Sequence, residues 1–295
     1  MTRCIDAHKA RFGVQPICRV LEIAPSTYYV AASRPPCARQ VGDEALKPEI
    51  AQVHKDNYGV YGAHKVWRQL NREGIEVGRD RVRRLMRKLN LVGVVRGKLK
   101  RTTFPGEASE RPQDLVERSF VASAPNRLWV ADLTYVSSWI GFVYVAFVVD
   151  AFSRRIVGWR VSSSLRAELA LDALEMAIWS RRSANLGGLV HHSDRGVQYL
   201  AIRYTERLAE AGAVRSVGSR GDSYDNALAE TVNGLYKTEL IRGRGPWRSV
   251  EHVELATAEW VDWWNHRRLH GSVGDTPPAS YEDAYYRNHD NIEVA

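Results

Sequence analysis

Three acidic residues, far apart in the chain, have the surroundings that metal-assisted phosphate chemistry needs. Asp132 lies in Trp129-Val130-Ala131-Asp132-Leu133-Thr134-Tyr135, a segment that otherwise reads as a buried strand. A charge there is costly unless it meets a partner, a cation or an opening to solvent. Asp194 directly follows a short predicted strand ending in His191-His192-Ser193, and strand ends of α/β sheets commonly carry ligand-binding groups. Glu230 falls in a helix predicted from about Ser223 to Ile241. Taken singly, each has an ordinary reading: a satisfied core acid, a turn residue, a solvated helix position. The helix pattern argues against that reading. At about 100° per residue, Asn226, Glu230, Asn233 and Lys237 fall within roughly 60° of one another, apart from the apolar Leu228, Val232 and Leu235. One acid, one base and two amides in a line suit contact with a phosphate backbone beside a metal. Phosphodiester hydrolysis or transesterification needs an activated oxygen nucleophile and charge stabilisation at the leaving oxygen, which two Mg²⁺ ions about 3.5–4 Å apart can supply. Hard carboxylate oxygens suit Mg²⁺, which keeps several waters and so needs few protein ligands.

The elements that must position these groups change character along the chain. The first third reads as helical. Ile17, Val20 and Leu21 form a short apolar stripe, and Ala24-Pro25-Ser26 predicts a turn with Ser26 as cap before Thr27-Tyr28-Tyr29. Two short helices about a tight turn suit a helix-turn-helix. Further helices are predicted over 43–56, 63–73 and 78–90; in the last, Val82, Leu85, Met86 and Leu89 recur at helical spacing. From Leu128 the pattern becomes strands, at 128–136, 142–149 and 155–161, rich in β-branched and aromatic residues. A helix at 166–181, a strand at 189–191, a helix near 198–211 and a strand at 214–217 precede the Glu230 helix. A mixed α/β sheet flanked by helices fits this order. The expected division is a helical segment (1–40), a helical DNA-binding domain (41–96), a linker (97–124), a catalytic core (125–241) and a C-terminal helical extension packing on the core (242–295).

The charge is lopsided. Of a net +8, residues 1–111 hold 22 Lys/Arg against 11 Asp/Glu, and the remainder 20 against 23. Such asymmetry suggests a basic nucleic-acid-binding half, with solubility alone as the plain alternative. Arg79, Arg83, Arg84, Arg87 and Lys88 ring a helix and are the predicted duplex contacts, mainly to phosphates. No apolar run approaches the ~20 residues of a membrane span, and no secretory signal opens the chain; a cytoplasmic, nucleoid-associated location is expected. Cys4, Cys18 and Cys37 form no CxxC pair, so neither a disulfide framework nor a cysteine zinc site is expected.

At the acids the sequence resembles the DDE transposases of bacterial insertion sequences, the group closest to retroviral integrases. Thirty-five residues separate Asp194 from Glu230, and Lys237 lies seven after the glutamate, as that pattern requires. The likeness extends through Asp132-Leu133-Thr134-Tyr135, His192-Ser193-Asp194-Arg195-Gly196, Asp225-Asn226-Ala227, Trp264-Asn265-His266-Arg267-Arg268-Leu269-His270 and Thr276-Pro277-Pro278, so from about 125 to 285. Upstream, Gly59-Val60-Tyr61-Gly62 and Val77 to Met86 resemble the helix-turn-helix that precedes the core in that family. The resemblance implies a ribonuclease H-like core. It further implies Asp132, Asp194 and Glu230 as ligands of two Mg²⁺ ions (Mn²⁺ as substitute) and Lys237 as a contact to the element end. The His/His/Cys/Cys zinc module of retroviral integrases is not matched, since no cysteine pair follows His54 and His64, and no zinc is expected. Implied partners are double-stranded DNA of element ends and target, other copies of the chain, and an upstream-frame protein or fusion. The implied chemistry is nicking at element ends followed by attack of the freed 3′-hydroxyl on new DNA. Two rival readings remain, a non-catalytic DNA-binding regulator and a ribonuclease H-type nuclease that cuts without joining.

Other residues invite simpler roles. Asp150 ends a strand before Ala151-Phe152-Ser153-Arg154, which suits a tight turn. His191 and His192 point to opposite faces of a strand, and neither is expected to be a ligand. Trp260 and Trp264, at i and i+4, are expected to pack the C-terminal helix onto the core.

Overall fold

A computed structural model describes residues 2–95, 122–194, 197–217 and 227–293. The chain forms two compact units, Met1–Ile50 and Ala51–Ala295. In the first, α1 (Thr2–Phe12), α2 (Val14–Val20) and α3 (Pro25–Ser33) precede α4 (Ala38–Asp56), which runs on into the second unit. Ile5, Cys18 and Tyr28 make the small core of α1–α3. The Tyr28 hydroxyl donates to Asp6 at 2.8 Å, tying α3 to α1. The expected Ser26 cap is corrected: Pro25 begins α3, Ala24 is the cap residue, and no side chain caps the helix. Proline suits that position because it lacks an N–H that would need a partner.

In the second unit, α5 (Ala63–Arg72) and α6 (Arg79–Lys88) pack around a short turn. The Trp67 indole donates to the Val77 carbonyl at 2.8 Å and pins that turn. Val82, Leu85 and Met86 are buried, while Arg79, Arg83, Arg87 and Lys88 stay exposed and Arg84 is half-buried. The periodicity that marks α6 as amphipathic is therefore the periodicity of its burial.

Five strands follow: β1 (Leu128–Ser138), β2 (Gly141–Asp150), β3 (Ile156–Ser162), β4 (Val190–Ser193) and β5 (Val214–Val217). Their order in the sheet is β3-β2-β1-β4-β5, with β1–β3 antiparallel and β4 and β5 parallel to β1. This is a mixed sheet, as the order of elements predicts, and it is ribonuclease H-like, as the resemblance implies. On one face α7 (Ala167–Ser180) covers Trp129, Ala131, Ala146, Val148 and Val157. Gly158 permits its close approach, since a Cβ there would lie 2.1 Å from the Ala173 carbonyl oxygen. Two short helices, α8 (Val197–Leu200) and α9 (Ile202–Glu210), replace the single helix expected over 198–211. The extended backbone of Ala201 separates them, and Tyr199 and Tyr204 both turn into the core, their rings 5.4 Å apart.

The opposite face belongs to α10 (Ala227–Tyr236) and the C-terminal helices. A π-helical turn (Lys237–Ile241) continues α10, followed by α11 (Arg242–Arg244), α12 (Val250–His266) and α13 (Pro278–Glu293). Phe147 of β2 meets Tyr236 at 5.1 Å and Trp260 at 6.0 Å, and Trp264 stacks behind Trp260 at 4.9 Å. Trp260 and Trp264 are buried, so they pack α12 onto the sheet as expected. The helical module is fastened to this extension. The Trp263 indole donates to Asn57 at 3.0 Å, and the Leu269 N–H donates to the Tyr61 hydroxyl at 2.7 Å.

Candidate functional site

Sheet register brings two of the acids together. The last paired residues of β1 and β4 are Ala131 and Ser193; Asp132 is the next residue on β1, and Asp194 follows the end of β4. Parallel strands lie about 4.8 Å apart, so the two acids leave neighbouring points, one midway along β1 and one just past β4. β4 is longer than the hydrophobic pattern suggests, because polar residues form its end. His191 pairs with the Tyr204 hydroxyl at 3.1 Å and His192 with Ser216 at 2.9 Å, so both imidazoles are buried with partners. Burial, the neighbouring His192 and Arg215 push His191 down to about 3, which keeps it neutral.

Glu230 arrives from the other side. α10 packs on β1, and its Asn233, one turn after Glu230, donates to Asp132 Oδ2 at 2.8 Å. The Leu133 N–H donates to Asp132 Oδ1 at 2.8 Å. These two bonds fix the plane of a half-buried carboxylate. Burial, together with the nearby charges of Asp194 and Glu230, pushes Asp132 up to about 8 against the opposing pull of its hydrogen bonds. Tyr199, fully buried beneath, is likewise raised, by burial first and then by Tyr204, Asp132 and Asp194. Two acids remote in sequence from Asp132 therefore act on it. Asp194 is exposed and Glu230 partly so. Among the described residues no three His, Cys, Asp or Glu side chains are already gathered to hold a metal ion.

The remaining predicted residues divide. Lys237 is half-buried with its ammonium 4.4 Å from the centre of the Tyr135 ring. Burial lowers its pKa, and Asp132 opposes that shift. Asn233, read from the sequence as a phosphate contact, is instead 7% exposed with its amide committed to Asp132. Its position on the polar stripe is as expected, and its neighbour is Asp132. Asn226 lies outside the described residues, as does most of the predicted linker. Asp150 is a turn residue: its buried carboxylate accepts the N–H groups of Asn126 at 2.7 Å and Phe152 at 2.9 Å. Sequence reasoning missed Tyr199. Its only sequence signal was an aromatic five residues after Asp194, where a helix was expected to begin.

A ribonuclease H-like sheet with one acid midway along its central strand, a second just past the neighbouring parallel strand and a third on the facing helix defines the class, an integrase-type core. Comparison with known proteins agrees. An "integrase core domain" family model matches residues 122–223, a second matches 212–278, and an "HTH-like domain" model matches 42–98. A chain of insertion sequence element IS986/IS6110 from Mycobacterium tuberculosis is 61% identical over 269 residues, covering 90% of this chain and 97% of that relative. The transposase for insertion sequence element IS629 of Shigella sonnei is 52% identical over 300 residues, with full coverage of both chains. A solved HTLV-2 integrase catalytic core aligns with a TM-score of 0.41 at 19% identity, over 52% of this chain and 95% of that one. The chain belongs to the insertion-sequence transposases with an integrase core. Among the described residues no helix is long and apolar enough to cross a membrane.

Proposed function

We propose that Asp132, Asp194 and Glu230 are the catalytic acids of this transposase and hold divalent metal, Mg²⁺ or Mn²⁺, with two ions in the active complex. The donor set fits. It offers hard oxygens only, from the middle of β1, the residue after β4 and one helix, and the burial and neighbouring negative charge that raise Asp132 are what a bound dication would offset. The observation that carries the reading is the register past Ala131 and Ser193, which sets Asp132 beside Asp194, with Glu230 close enough to act on Asp132. When bound, the ions supply Lewis-acid stabilisation of the phosphodiester and activation of the attacking oxygen.

The chain's own residues do the positioning. Asn233 and the Leu133 N–H hold both oxygens of Asp132, as the hydrogen-bonded neighbours of a ligand carboxylate do elsewhere. Lys237, near Asp132 and over Tyr135, would neutralise a phosphate of the element end. Asn226 would extend the same stripe. Arg79, Arg83, Arg84, Arg87 and Lys88 on α6 would bind duplex phosphates of the end. Water attacks the scissile phosphorus and a 3′-hydroxyl leaves; that hydroxyl then attacks a target phosphodiester and displaces another 3′-oxygen. The reaction runs in the cytoplasm, on synapsed ends held by more than one copy, alone or with an upstream-frame partner.

A strand-transfer assay with an end duplex already nicked to expose its 3′-hydroxyl tests the reading. The expected result is joined product that requires Mg²⁺ or Mn²⁺. Cutting without joining would indicate a simple nuclease, and binding without either would indicate a regulator.

A further inference from the structure

The hairpin between β1 and β2 exposes side chains that a solvated turn ordinarily avoids. Trp139 is 67% exposed, Ile140 62%, and Tyr135 and Phe142 56% each. The Tyr135 and Phe142 rings meet edge to face at 5.2 Å. Cations lie over two of these rings: Lys237 over Tyr135, and the Arg248 guanidinium 5.4 Å from the centre of Trp139. The Trp139 N–H donates to the Trp247 carbonyl at 2.9 Å, so the hairpin tip and the segment carrying Arg248 form one surface. Tyr135 lies three residues beyond Asp132 on β1, so its side chain leaves the other face of the sheet. Lys237, near Asp132 and over Tyr135, joins the acids to this surface along the edge of β1 that β4 leaves unpaired beyond Ala131 among the described residues. At ~3.3 Å per residue, Tyr135 lies about 10 Å and Trp139 about 23 Å along the strand from Asp132.

Exposed apolar side chains alone would fit a protein partner. Cations placed on the aromatic faces change the complement. In a self-associating two-fold contact each patch faces its own copy, so Lys237 and Arg248 would meet like charges. A nucleic-acid strand brings phosphates for the cations and flat bases for the rings. We propose that Tyr135, Trp139, Ile140 and Phe142, with Lys237 and Arg248, form a stacking platform for DNA bases unpaired near the scissile phosphate. The strand runs along β1 from the acids toward the hairpin. The proposal rests on the transposase chemistry above and adds where the DNA leaves the site. At ~3.4 Å per nucleotide, Tyr135 would meet a base about three nucleotides from the scissile phosphate, and Trp139 one about seven away.

The test uses the full chain and an element-end duplex with an unpaired flank, without divalent metal so that no cutting intervenes. The fluorescent base 2-aminopurine is placed three or seven nucleotides from the scissile phosphate, on either side. Wild type should quench it at both distances on one side. Trp139→Ala should lose quenching at seven while retaining it at three, with affinity reduced about five- to a hundredfold, and Trp139→Phe should restore most of both. Unchanged quenching in Trp139→Ala would overturn the assignment. So would an altered sedimentation of the DNA-free variant with DNA binding intact, which would make the patch a protein interface. Specific binding by wild type without quenching at either distance would reject the platform alone, whereas no binding to the end duplex would reject the transposase reading with it.

Discussion

Buried acids are handled differently in two regions of this molecule. Under the C-terminal extension, Glu282 is almost fully buried, accepts from Arg181 at 2.6 Å, Arg155 at 2.9 Å and Ser153 at 2.6 Å, and stays below the usual carboxylate range. Burial pulls that carboxyl upward, and Arg181 with its companions outweighs it. Glu239, in the π-helical turn after α10, is likewise held by Arg268 at 2.6 Å, with the guanidinium seated on Trp264. Midway along β1, Asp132 receives an amide and a backbone N–H, while burial and then two other acids raise it to about 8. The chain gives Glu239 and Glu282 arginines, whereas Asp132 is raised by its burial and by two neighbouring acids.

The contrast can be broken or sharpened by substitution. Asp132→Asn, Asp194→Asn or Glu230→Gln should each reduce nicking and strand transfer about a thousandfold or more, since the lost stabilisation is several kcal/mol. DNA affinity should remain; a gel assay that shows retained cutting in any of the three removes that residue from the set. Arg268→Ala leaves Glu239 buried without its cation and should cost about 3–5 kcal/mol, read as a lower urea midpoint. Glu282 sharpens the structural side through pH. Its folded-state pKa is lowered, so its contribution is full above the ordinary 4.5 and is lost as pH falls through the folded value. Glu282→Gln should therefore flatten the acid limb of stability, and an identical limb would show that the arginines do not hold it. On α6, Arg83→Ala with Arg84→Ala should lower the salt slope of DNA binding by about 2; an unchanged slope takes that helix out of the interface. The smallest effect is the most pointed. Metal-free Asp132→Asn should be no less stable than wild type at neutral pH, read as an unchanged or higher urea midpoint, because a carboxyl pushed up to about 8 is largely protonated there and the amide replaces a neutral group.

Much of this arrangement was legible in the sequence. Strand periodicity located β1, β2, β3 and β5 to within a few residues, and the helical spacing of Val82, Leu85 and Met86 marked the buried face of α6. The acids stood out because Asp132 interrupts an apolar strand and Asp194 ends one. What stayed hidden depended on partners distant in the chain. β4 ends in His191, His192 and Ser193, polar residues that are buried only because Tyr204 and Ser216 meet the two imidazoles. The break at Ala201 carries no glycine or proline to announce it. The π-helical turn at Lys237–Ile241 is not written in local propensity; it coincides with the pairing of Glu239 to Arg268, twenty-nine positions away. Asn233 was found on the right face with the wrong neighbour, because spacing on a helix reveals which residues align but not what packs opposite.

Uptake of Mn²⁺ by the chain bound to an element-end duplex, followed through the paramagnetic resonance of the free ion, tests the central claim most directly. Saturable uptake is predicted for wild type and for Glu282→Gln, and its loss for Asp132→Asn and Glu230→Gln. Equal uptake by all four proteins would contradict a cation site built from Asp132, Asp194 and Glu230.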